Sequence, residues 1–97
     1  MKEYIKRRLS ERDMLVEYVS KAKAVEVMQN QIAKLEKNID ALDEDIEELE
    51  DSGLDRTVEI LCKARNSLNL ERLELEIHVY KLRLWIAEFE RAEQLTR

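Results

Sequence analysis

Ninety-seven residues allow one domain at most. There is no proline, a single glycine (Gly53), and 40% of the residues are charged, a mixture that excludes a loop-rich fold and fits long surface helices or coiled coils. The net charge of −5 gives no overall pull toward nucleic acid.

The lone cysteine, Cys62, excludes an intrachain disulfide framework and favours a reducing compartment. No apolar run approaches the roughly 20 residues of a membrane span. The first residues carry charges without an apolar stretch behind them, unlike a secretory signal. A cytoplasmic protein with no membrane association is the expectation.

Five bases and two acids lie between Met1 and Arg12. Lys6, Arg7, Arg8 and Arg12 are the candidate nucleic-acid contacts. The cluster is short, broken by Glu3 and Glu11, and followed at once by Asp13, so a bZIP-like basic region is a poor match. Its ordinary counterpart is a solvated or internally paired segment. Ser10 resembles a helix start: Asp13 stands three residues on, as in a capping box, and Leu9 and Met14 are spaced as a hydrophobic staple. Residues 2–9 are then a separate short helix; one uninterrupted helix from residue 2 is the competing expectation.

The first long arm covers residues 10–51. Leu15, Tyr18, Ala22 and Val25 open its apolar stripe with a phase slip, which predicts altered winding or a different neighbour near residues 18–28. From Met28 the pattern is an unbroken heptad seam. Ile32, Ile39 and Ile46 hold one core position, and Leu35, Leu42 and Leu49 hold the other. Eight acids and no base lie between Asp40 and Asp51. Acids at a helix C-terminus oppose the macrodipole by roughly 0.3–1 kcal/mol each. They form either a solvated face or a docking surface for a basic partner, which would mimic nucleic-acid phosphate. Asp40, Asp43, Glu44, Glu47, Glu48 and Asp51 are the candidate contacts.

Residues 52–55 are the one turn signal. Gly53 can take the left-handed conformation that ends a helix, and Ser52 or Asp55 can cap the next. A short connection favours antiparallel neighbours. The second arm, residues 55–95, carries two stripes. Leu54, Leu61, Leu68, Leu75, Leu82 and Phe89 repeat every seven residues, with Val58, Val79 and Ile86 between them. Arg65 and Arg72 interrupt that register, as a polar layer that fixes alignment or as a contact window for a partner. Pairing around Gly53 is expected to bring Arg65 to Asp40 or Glu36, Lys63 to Asp43 and Glu44, and Arg56 to Glu50. At the open end Arg8 and Arg12 could meet Glu90 and Glu93. On another face lie Leu70, Leu73, Ile77, Tyr80 and Leu84. A helix apolar on two sides is buried on both, and one neighbouring helix covers only one. Trp85 sits between the stripes near the open end, with Tyr18, Leu15, Ile86 and Phe89, where core packing is expected. As an aromatic residue of the kind enriched at interface hot spots, it also joins Leu70, Leu73, Ile77, Tyr80 and Leu84 as a candidate for the oligomer interface.

No constellation carries chemistry. His78 has Leu75 three residues before it, so the Glu-x-x-His spacing of bundle metal sites is absent. Cys62 lies 16 residues from His78, about 24 Å along a helix. No catalytic residue, metal or cofactor is expected. The fold class is all-α: a long antiparallel, coiled-coil-like hairpin, dimerising into a four-helix bundle. A fold-back of Tyr4, Ile5 and Leu9 over the second stripe is the weaker alternative cover. The expected function is a non-enzymatic adaptor or regulator that forms homo-oligomers and binds a protein partner. The alternatives are an inhibitor of a nucleic-acid-binding protein through the acidic tip, or a nucleic-acid-binding regulator through the basic segment.

Overall fold

The computed structural model describes the backbone from Lys2 to Leu95 and the side chains from Arg12 to Leu95. Two helices account for nearly all of it: α1, Lys2–Leu49, and α2, Asp55–Leu95. Tyr18 reaches Glu90 and Asp43 reaches Arg65, so the helices run antiparallel. The molecule is a rod of 76 × 22 × 14 Å with a radius of gyration of 21.5 Å. A compact chain of this length would have about 13 Å. Its thickness leaves room for two helices and no third layer.

The turn is built from Ser52 and Gly53. The Ser52 hydroxyl donates to the Leu49 carbonyl at 2.6 Å and accepts from the Leu54 amide at 3.3 Å. The Leu49 carbonyl also accepts from the Ser52 amide at 3.1 Å, so Ser52 closes the end of α1 with two donors while its hydroxyl meets the amide that leads into α2. Gly53 has φ +81°, the left-handed region where a side chain would be strained. The Leu54 carbonyl accepts the first helical bond of α2, from Val58 at 3.0 Å. Leu54 is therefore the cap position and is 52% exposed, outside the seam expected to begin with it. Asp55 is the first helical residue, where its charge suits the helix N-terminus.

Residues 50–54 are non-helical, and this length sets the register. Arg65 pairs with Asp43 at 3.3 Å, one helical turn beyond the Asp40 expected from a turn closing on Gly53. Lys63 pairs with Glu59 on its own helix at 3.2 Å rather than with Asp43 or Glu44. Exposed pairs of this kind contribute about 0–1 kcal/mol, so they follow the register rather than impose it.

The seam itself is one layer of side chains. Ile39, Ile46 and Val79 are the only buried hydrophobic residues among those described. The other seam residues are half-buried, because each rod covers just one side of the other. The seam does not slip near residues 18–28. Tyr18, Lys21, Val25 and Met28 continue the heptads at spacings of three and four, and all four are half-buried. Leu15 and Ala22, which suggested the slip, are exposed. The irregularity is chemical: a lysine stands at a core position. Its stem packs inward while its ammonium reaches Glu17 at 2.9 Å and lies 5.1 Å from the Trp85 ring centroid.

α1 passes through Ser10 without a break. Residues 2–9 belong to the same helix. The cover expected from Tyr4, Ile5 and Leu9 depends on side chains that lie outside the described residues. A capping pattern also fits a helix interior when strong helix formers flank it, as Lys, Arg, Leu and Glu do here.

Candidate assembly surface

Leu70, Leu73, Ile77, Tyr80 and Leu84 recur at three- and four-residue spacings along α2 and share one face. They lie about 150° around the helix from the seam, counting about 100° per residue. α1 therefore cannot reach them. The five are 46% to 64% exposed, whereas Val79, between Ile77 and Tyr80 in sequence, is 5% exposed. Ala87 extends the strip by one more position and is also exposed. Its small size hid it among the larger residues, though its seven-residue spacing from Tyr80 places it on the strip. From Leu70 to Leu84 the strip is about 21 Å long.

The strip has charged rims. Glu74 and Lys81 lie along one edge; Glu76 and Arg83 lie along the other. Lys81 and Arg83 have no acid three or four residues away on their own helix, the spacing at which helical ion pairs form. Neither enters an ion pair among the described residues.

Trp85 is not on the strip. It is half-buried inside the open end of the hairpin, stacked on Phe89 with ring centroids 5.6 Å apart and planes at 7°. Phe89 in turn stacks on Tyr18 at 4.7 Å. The Tyr18 hydroxyl donates to Glu90 at 2.8 Å. That hydrogen bond, and then the carboxylate charge, raise the Tyr18 phenol above its ordinary value of 10.0. This aromatic stack, with Lys21 on its end, clamps α1 to α2 where the helix ends would otherwise fray.

No family model, curated protein or solved structure matches the chain.

Of the six acids expected to reach a partner, Asp43 alone makes an ion pair among the described residues. Asp40, Glu44, Glu47, Glu48 and Asp51 are exposed. Arg12 is exposed too; the side chains of Lys6, Arg7 and Arg8 lie outside the described residues. His78 is exposed on the rim of an open groove of about 520 Å³, with Glu71, Glu74 and Lys34 among its other lining residues. Among the described residues there is no group of three or more potential metal ligands. No helix is long and apolar enough to cross a membrane. Within the seam, Arg65 is satisfied by Asp43, but the Nε of Arg72 is buried without a hydrogen-bond partner. An orphan donor of this kind costs about 1–3 kcal/mol.

Proposed function

We propose that the chain is a non-enzymatic assembly protein, an adaptor or regulator that works through helix-to-helix contacts. It forms a homodimer through Leu70, Leu73, Ile77, Tyr80 and Leu84, which brings four helices together. The supporting observation is the exposure of five large apolar side chains on the face of α2 turned away from α1. Each gains about 1.5–3 kcal/mol when buried, and a contiguous strip of this kind marks an interaction site on a soluble rod. Further protein partners would be reached from the ends of the rod that the strip leaves free.

Sedimentation velocity tests this directly. The wild type is expected to run as a dimer at micromolar concentration. Leu73→Ser with Ile77→Ser is expected to run as a monomer with unchanged helical circular dichroism. A well-folded wild-type monomer across that range would refute the proposal.

A second role is favoured by the acids at the turn end, seven of the eight making no ion pair among the described residues: capture of a basic, nucleic-acid-binding protein. It predicts that the chain displaces a basic DNA-binding domain from DNA at low salt. Neutralising Asp40, Glu44, Glu47 and Glu48 as the amides should abolish displacement without loss of helix. Displacement that survives neutralisation would remove this role.

A further inference from the structure

We infer that the strip is self-complementary and that two copies join antiparallel, α2 against α2, about a twofold axis between Ile77 and Tyr80. This rests on the homodimer proposed above and specifies its geometry. In that register Ile77 meets Tyr80 of the second copy, Leu73 meets its Leu84, and Leu70 meets its Ala87. Every layer sets one residue against a different one, and the twofold axis repeats each layer. Large residues meet large ones at the centre, and the small Ala87 takes Leu70 at the margin.

The rims fit the same register. Glu76 falls opposite Arg83 of the second copy, and Glu74 falls opposite its Lys81. Each pair occurs twice. These bases have no acid within reach of their own helix, so the second copy supplies the missing partner.

A parallel pairing also matches some rim charges, setting Glu76 toward Lys81 and Arg83 toward Glu88. It fails at the ends of the strip, where the same helical positions hold Lys63 and Arg91. Each would stand against its own copy. It would also lay the two acidic tips, eight acids each, side by side. The Arg65–Asp43 register sets the acidic stretch level with the region around Lys63, so the antiparallel pairing holds the two stretches about 45 Å apart along the axis, well beyond the Debye length of about 8 Å at physiological salt.

The strip lies nearly opposite the seam. The assembly is therefore a row, α1–α2–α2–α1, and not a bundle closed around one shared core. α1 has charged residues at most of the equivalent outward positions, among them Lys23, Glu26, Lys37 and Glu44, and is suited to the outside of such a row.

Charge reversal separates the two orientations. Glu76→Arg alone and Arg83→Glu alone are each expected to raise the dimer dissociation constant about tenfold, since two attractions become repulsions. Combining both changes in one chain should restore the wild-type value to within about threefold. Mixing the two single variants should give heterodimers in preference to either homodimer. In a parallel dimer the double variant would instead be worse than either single one, which would overturn the inference while leaving the homodimer standing. A spin label on Lys63→Cys, in a Cys62→Ser background, gives a second readout. Antiparallel pairing predicts a label separation of about 45 Å along the axis. Labels within about 20 Å, the range for two helices packed side by side in register, would overturn it. A wild type that is monomeric throughout would instead remove the homodimer on which the inference rests.

Discussion

The two halves of α2 share one partner helix and one heptad register, yet face outward with different chemistry. From Asp55 to Asn69 the outward positions hold Arg56, Glu59, Lys63 and Asn66. From Leu70 to Ala87 the same positions hold Leu70, Leu73, Ile77, Tyr80, Leu84 and Ala87. The inner face obeys the hairpin along the whole helix; the outer face changes abruptly about one third of the way along. Intrachain folding needs only the inner seam. The outer strip is therefore not needed for the hairpin, and its confinement to one half is the observation on which the proposed assembly contact rests.

The largest effect should separate the two faces. Val79→Asp puts an unpaired charge at a position that is 5% exposed, and is expected to cost about 3–5 kcal/mol. Urea titration followed by circular dichroism should show the helices melting early. Ile77→Asp, two residues away and 55% exposed, should leave the hairpin helical and prevent dimerisation. Equal loss of helix in both would erase the distinction between the faces.

Gly53→Ala probes the closure that aligns the seam. No atom lies within 4 Å of the added methyl group, so the cost is that of left-handed backbone alone, about 1–2 kcal/mol. Arg72 marks the boundary between the two halves. Arg72→Leu removes the partnerless Nε and should raise stability by about 1 kcal/mol, read as a higher urea midpoint at constant m-value. A lower midpoint would mean the guanidinium earns its place through contacts elsewhere.

Tyr18 gives the smallest effect. Its phenol is raised in the fold by Glu90, so its stabilising contribution is complete below the ordinary value of 10.0. The contribution disappears as pH climbs through the raised value. In an alkaline absorbance titration of the folded protein, Tyr18→Phe should remove a late-ionising phenol.

The parts of the fold legible in the sequence are those written in apolar side chains. The seam from Met28 to Leu49, the break at Gly53 and the strip from Leu70 to Leu84 all follow from spacing. Lys21 was hidden because apolar periodicity treats a charged residue as a gap, although a long stem can fill a core position while its ammonium leaves it. The pairing of Arg65 with Asp43 was hidden because it depends on how many residues the turn consumes, which Ser52 and Leu54 decide through hydrogen bonds. Trp85 borders both stripes, so spacing alone leaves core packing and the interface both open; its stacking on Phe89 and contact with Lys21 set it inside the hairpin. The rim bases Lys81 and Arg83 have no acid at helical spacing on their own helix, so Glu76 and Arg83 stand out as a pair only when the proposed twofold pairing of the strip is considered.

If the outer strip holds a second copy while the inner seam holds the hairpin, association and folding are linked. The concentration dependence of thermal unfolding tests this most directly. The wild-type melting temperature should rise steadily over a hundredfold increase in protein concentration, because association stabilises the folded chain. That of Leu73→Ser/Ile77→Ser should stay flat. A wild-type melting temperature that is equally flat would contradict the account.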